Sequence, residues 1–219
     1  MRRLLFTKRG EAIWISHLDL MRLFQRAFKR AELTLTHSHG FNPRPSVSIA
    51  LPLSVGTESI CELLDFDLVD CDASCEEIRD RLNHALVSGI QVLEVYEGGR
   101  KVRDLSLMRS RIHFFYDNGI PENAQQGIGK LLARDSLIVP KKTKNGMQDQ
   151  DLIPMIRSAE LFPVSERELV LEFLHCCQNP TLNPMQIPAA ILRYIPELYP
   201  DFSKCERMEI YDTEETIFR

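Results

Sequence analysis

The chain has 219 residues, 44% of them apolar and 26% charged, with a formal net charge of −4. Those proportions belong to an ordinary globular protein and exclude a disordered one, and the length suits one large domain or two of about 100 residues each. No segment approaches the roughly 18 apolar residues that cross a bilayer, and MRRLLFTKRGEAIWIS has no apolar stretch of secretory length before Lys8 and Arg9, so no membrane partner and a cytoplasmic location are expected. Six cysteines (Cys61, Cys71, Cys75, Cys176, Cys177, Cys205) are too sparse for a disulfide framework.

In chain order, residues 2–7 (RRLLFT) read as a strand, with Ile13 to Ile15 continuing it or pairing back across the Arg9-Gly10 turn. Ser16 is a helix N-cap with Asp19 three residues on, and Ile15 and Leu20 are spaced to staple the helix start. Leu20, Leu23, Phe24, Ala27, Phe28 and Ala31 form one apolar stripe. Extended segments at Leu33 to Thr36 and Ser46 to Leu51 flank a polar loop. A longer strand follows at Ile60 to Val69, with Asp65 and Asp67 facing opposite to Leu64, Phe66 and Leu68. Ser74 and Glu77 form a capping box for a helix through Ile78, Leu82 and Leu86, with Cys71 and Cys75 on one face, and Ile90 to Val95 is a closing strand. Gly98 to Lys101 reads as a linker.

The second half repeats the layout. Arg111 to Tyr116 is a strand, and Pro121 precedes a helix through Ile128, Leu131 and Leu132. Leu137 to Val139 is a short strand and Pro140 to Asp151 an exposed basic loop turning acidic. Strands near Ile156 to Phe162 and Glu168 to Cys176 lead to a helix from Asn183 to about Leu198, weakened by Pro188 and Pro196, and a last strand at Met208 to Tyr211. The predicted fold is α+β: two tandem ferredoxin-like halves, each β-α-β-β-α-β with an antiparallel sheet and helices on one face, over residues 1–97 and 102–219.

Charge is segregated along the chain. Lys and Arg against Asp and Glu number 9 to 3 over residues 1–50, 2 to 11 over 51–97, 10 to 4 over 98–146 and 6 to 13 over 147–219, so the balance runs +6, −9, +6, −7. Such a chain can offer a positive face to a polyanion under a negative total; the competing reading is a set of solvated faces. On the first helix Arg22, Arg26 and Lys29 fall within about 60° of one another, with Arg30 close by, a cationic stripe opposite the apolar one that suits repeating phosphates. Arg2, Arg3, Lys8, Arg9 and Arg44 are placed to extend it.

The loop HSHGFNPRP then joins chemistry to stiffness. Gly40 permits positive φ, Pro43 and Pro45 fix φ, and Asn42 is held extended by the proline after it. Arg44 can grip a phosphate or carboxylate, Asn42 can donate and accept, and Phe41 can stack; the alternative is a structural turn with Phe41 buried. His37 and His39 lie on one side of an extended segment, and His17 beside Asp19 at a helix start is a candidate base, yet spacing alone shows no convergence on a metal. Neither a zinc-type cysteine pair, a P-loop, a dinucleotide fingerprint nor a nucleophile elbow is present. Ile78 stands three beyond Cys75, so the three-cysteine spacing of radical SAM iron-sulfur sites is missing as well. No cofactor is expected.

ISHLDLMRLFQRAFKRAEL, HGFNPRPSVSIALPLSVGTES and ELLDFDL resemble the radical-SAM-associated (radical-SAM-linked) bacterial protein family, a domain of unknown function. The matched motif positions are Ser16, His17, Leu18, Asp19, Gly40, Phe41, Asn42, Pro43 and Pro45, and the likeness is strongest over roughly the first 70 residues. The resemblance implies an accessory role beside a cobalamin-type radical SAM enzyme, in RNA or ribosome modification. The expected function is therefore a non-catalytic subunit that binds RNA or a ribosomal component through His17, Asp19, Arg22, Arg26, His39, Gly40, Phe41, Asn42, Pro43 and Arg44. Two rivals come from other classes: a metal-independent endoribonuclease of the CRISPR repeat-processing type with His17 or His39 as base, and a pure protein-protein adaptor docking through the acidic strand around Asp65 and Asp67 or through an exposed sheet edge.

Overall fold

RRLLFTK becomes the strand β1 (Arg2–Lys8), whose Leu4 and Phe6 face two helices and are fully buried. These coordinates come from a computed structural model, which describes residues 1–143 and 146–219. The protein is α+β with antiparallel strand pairing, and its contacts divide it into one unit of residues 1–104 with Arg219 and another of residues 105–218.

In the first unit, Ile13 to Ile15 do not form a strand. Gly10 turns the chain at φ +57°, residues 10–14 wind into a 3-10 turn, and the buried Lys8 ammonium donates to the carbonyls of Ile13 and Ile15 at 3.1 and 2.8 Å. Those carbonyls are thereby taken from any sheet ladder. Ser16 caps α1 (His17–Arg30), accepting from the Asp19 amide, and the apolar stripe lies against the sheet. Phe24 meets Phe6 edge-on at 4.8 Å and Phe28 meets Phe66 at 4.9 Å. Each such ring contributes roughly 1.5–3 kcal/mol by leaving water.

The strands β2 (Val47–Ile49) and β3 (Thr57–Phe66) follow, then α2 (Cys75–Ala85) and β4 (Ile90–Glu97). The sheet order is β4-β1-β3-β2, every pair antiparallel, and both helices pack on the same face. The capping box of α2 is complete: the Ser74 amide donates to Glu77 at 2.8 Å and the Glu77 amide to the Ser74 hydroxyl at 3.2 Å. Cys71 precedes this helix, so it shares no helix face with Cys75.

The 98–101 segment is packed rather than a free linker. Fully buried Arg3 forms a bidentate pair with Asp65 at 2.6 and 3.0 Å and donates to the Arg100 carbonyl at 2.9 Å. Gly99, at φ +121°, lies so close to that guanidinium that a Cβ would sit 2.9 Å from Arg3 Cζ.

In the second unit the order is β5 (Leu107–Phe115), α3 (Ala124–Leu132), β6 (Ile138–Thr143), β7 (Gly146–Asp151), β8 (Ile156–Ser165), β9 (Glu168–Cys176), α4 (Gln186–Tyr194) and β10 (Phe202–Tyr211). Four of these strands run β10-β5-β9-β8, all antiparallel, while β6 and β7 form a separate two-stranded sheet. The segment from Pro140 to Asp151 is thus a hairpin, not a loop, with Ile138 paired to Asp151 and Lys142 to Met147; Lys144 and Asn145 lie outside the described residues. The fourth helix is shorter than expected. Pro188 sits in its first turn, where no intrahelical N–H is needed, and Pro196 ends it by starting a 3-10 turn to Leu198. Ile112, Phe114, Leu171, Ile128 and Ile191 centre the core of this unit.

Candidate functional site

The polar loop after α1 is built as a short ladder that closes on itself. The Ser46 amide donates to the Thr36 carbonyl at 2.8 Å, the Ser38 amide to the Arg44 carbonyl at 2.8 Å, and the Arg44 amide to the Ser38 hydroxyl at 3.0 Å. The base of the ladder is pinned to the end of β3: the Thr36 amide donates to the Asp67 carbonyl at 2.9 Å, and Asp67 in turn to that of Ser46 at 3.3 Å. Only the tip, from His39 to Pro43, projects beyond the paired rungs, and Gly40 turns it at φ +138° with no atom within 4 Å of where a Cβ would lie.

The tip side chains stay outside. His39, Gly40, Phe41, Asn42, Pro43 and Arg44 are all exposed, and Phe41 is 107% exposed, which excludes the buried-turn reading of that ring. Among the described residues the His39 ring, the Asn42 amide and the Arg44 guanidinium have no hydrogen-bond or ion-pair partner. Below the tip lies a cleft of about 440 Å³ lined by His37, Arg44, Ser46, Ser48, Asp65 and Asp67. Sequence reasoning missed Ser46 and Ser48 as lining residues; their only local signal is the alternation that turns both from the core.

The predicted residues do not share one pocket. Lys8 holds the start of α1 at one end of β1, whereas the loop base joins Phe66, which pairs with Arg2 at the other end. The six steps of β1 separate these ends by roughly 20 Å. His17 and Asp19 therefore lie at the end of the unit away from His39 and Arg44, and Arg22 and Arg26 are exposed on the helix face between.

At the helix start the polar groups are engaged with one another. The Asp19 carboxylate accepts from the Ser16 hydroxyl at 2.7 Å and from the Arg22 guanidinium at 3.1 Å, and these bonds, the Ser16 bond foremost, hold the carboxyl below the usual carboxylate range. His17 Nδ1 is buried with no partner among the described residues. Arg30 reaches across to donate to the Ala85 carbonyl at 2.6 Å, so it braces the end of α2 instead of extending the cationic stripe. Asp65 is paired with Arg3, and Asp67 accepts from Ser46 at 3.4 Å. Among the described residues no group of three or more His, Cys, Asp or Glu side chains is arranged to hold a metal ion.

Residues 2–184 match the sequence profile of a family described as an uncharacterized protein conserved in bacteria (DUF2344). The chain belongs to this family. The match takes in α1, the loop and most of the second unit of this DUF2344 protein, while no curated protein matches its sequence. Among solved structures, a chain of "Crystal Structure of a Cbf5-Nop10-Gar1 Complex" is similar with a TM-score of 0.52 at 9% identity, over 95% of this chain and 48% of the other. The DUF2344 chain thus spans about half the length of that neighbour, and the likeness is one of fold. "Crystal Structure of an Unknown Protein from Galdieria sulphuraria" is also similar, with a TM-score of 0.26 at 13% identity, covering 94% of this chain and 96% of the other.

Proposed function

We propose that this DUF2344 protein is a non-catalytic accessory subunit that binds RNA, or an RNA-bearing particle such as a ribosomal component, for a cobalamin-type radical SAM enzyme in the cytoplasm. The observation that carries the RNA part is the braced loop whose Arg44 guanidinium and Asn42 amide are left without internal partners. Bracing the backbone that carries an unsatisfied fork-shaped cation and amide lowers the backbone entropy lost when a phosphate and a base edge are bound. The exposed Arg22 and Arg26 on α1 add a second set of phosphate contacts. The radical SAM partner rests on the resemblance of SHLDLMR and GFNPRP. Among the described residues no helix is long and apolar enough to cross a membrane.

We read both units as ferredoxin-like. The support is that β4-β1-β3-β2 and β10-β5-β9-β8 are the same 4-1-3-2 order on the same β-α-β-β-α-β plan, with β6 and β7 inserted in the second.

RNA affinity of the full chain at two salt concentrations, for wild type and for Arg22→Ala/Arg26→Ala/Arg44→Ala, tests the reading. Affinity falls with salt and falls again in the triple variant; equal, salt-independent affinities end it. A protein partner is favoured by Trp14 and Leu18, which leave 68% and 67% of their surface in water beside the start of α1. Trp14→Ala/Leu18→Ala is expected to stop co-purification with the radical SAM enzyme after RNase treatment while leaving RNA affinity unchanged.

A further inference from the structure

Resting on the RNA-binding reading above, we infer that the 36–46 loop recognises an unpaired nucleotide: Phe41 stacks on one base face while Arg44 holds the adjoining phosphate. A phenylalanine with its whole ring in water gains nothing from the fold that displays it, and this ring is displayed by a costly arrangement. Two ladder rungs brace the stem, Pro43 and Pro45 fix the returning strand, and Gly40 takes a φ of +138° that side-chain-bearing residues avoid. The backbone that carries the ring is therefore braced at its base, and the ring itself stands open to a ligand.

The groups around the ring select the ligand. Covering Phe41 demands a flat, open π surface, and an unpaired base offers one, whereas a duplex buries its base faces and presents edges and backbone. Arg44, three residues along and with its guanidinium unpaired among the described residues, supplies the charge for the phosphate that every nucleotide carries. The Asn42 amide between them can donate to and accept from a base edge, and no carboxylate belongs to the tip itself. A lipid surface is the poorer match, because one aromatic flanked by Asn42, His39 and Arg44 buries little apolar area in an interface.

The full chain is titrated into a labelled, unstructured RNA of about eight nucleotides, a hairpin RNA whose loop has the same sequence, a blunt duplex without a loop, and anionic phosphatidylserine vesicles. Wild type binds the single strand and the hairpin loop at least tenfold more tightly than the duplex. Phe41→Ala and Phe41→Leu each lose about tenfold on the single strand, since stacking is removed in both, while Phe41→Tyr stays within about twofold. The fold is checked by thermal unfolding, which an exposed tip residue leaves unmoved.

Equal binding of duplex and single strand, with Phe41→Ala unaffected and Arg44→Ala weakened, overturns the stacking site and leaves the RNA reading intact. Loss of vesicle binding but not of RNA binding in Phe41→Ala overturns it in favour of a lipid contact. No binding to any RNA brings down the RNA reading itself.

Discussion

Two fully buried side chains, Arg3 and His175, decide how this protein answers substitution and acid. Burial works against the Arg3 charge, but the hydrogen bonds and charge of Asp65 overcome it and raise the guanidinium above its ordinary value. Arg3→Met leaves Asp65 mostly buried without its counter-charge and is expected to cost about 3 kcal/mol or more in urea unfolding. Arg3→Met/Asp65→Leu should recover most of that loss, and a double variant no more stable than the single would show the pair is not the cause. His175 donates from Nδ1 to the Cys176 carbonyl at 3.1 Å, so Nε2 is left to accept from the Ser110 hydroxyl at 2.9 Å, and its ring stacks on Phe173. The ring is neutral in the fold: burial, helped by Arg207, pushes it down to about 4 from 6.5, against the Cys176 hydrogen bond. The unfolded chain then takes up the proton first, so this contribution is complete above pH 6.5 and is lost as pH falls toward 4. The loss between pH 7 and 4.5 is on the order of 2–3 kcal/mol. His175→Asn is less stable at pH 7 and shows a shallower acid slope; equal slopes for the two proteins would refute the assignment.

At the scale of elements, the two glycines of α3 make opposite predictions. Alanine gains up to about 1 kcal/mol over glycine inside a helix. At Gly129 a Cβ meets no atom within 4 Å, so Gly129→Ala should raise the urea midpoint. At Gly127 the Cβ would run into the buried Leu198 side chain on the adjacent 3-10 turn, so Gly127→Ala should forfeit that gain or fall below wild type. Which elements could be read from sequence follows the same division between local and distant causes. The Ser16 cap with Asp19, the stripe from Leu20 to Phe28 and the Ser74–Glu77 box are set by residues three or four apart, and they stand as expected. Ile13 to Ile15 read as a strand because nothing nearby reveals that Lys8 will turn its ammonium onto their carbonyls. The β6–β7 hairpin was hidden because neither PKKT nor GMQDQ alternates apolar with polar, and its two strands mainly find each other. For the candidate site, the stiffness of GFNPRP was legible from Gly40, Pro43 and Pro45. Its position was not: Thr36 pairs with Asp67, thirty-one residues on, and that pairing carries the loop away from His17.

At the scale of the whole molecule, a chain with a net charge of −4 should repel a polyanion unless its cations act locally, within about a Debye length of 8 Å at physiological salt. On the proposed reading they would do so in two places, where the cations are exposed: Arg44 on the loop, and Arg22 and Arg26 along α1. The logarithm of affinity for a single strand falls with the logarithm of salt by about 0.7 per phosphate neutralised. An oligonucleotide too short to bridge the two surfaces should engage about one cation and give a slope of about −0.7. A longer strand that covers both should give a slope of roughly −2 or steeper, so the slope must grow with length and then level off. Arg44→Ala weakens short and long strands alike, because the braced loop is the first contact in both, whereas Arg22→Ala/Arg26→Ala weakens only the long ones. Binding measured over a length series at three salt concentrations checks this. A slope that is the same for every length would mean that one of the two surfaces takes no part, and the variant that leaves it unchanged would say which.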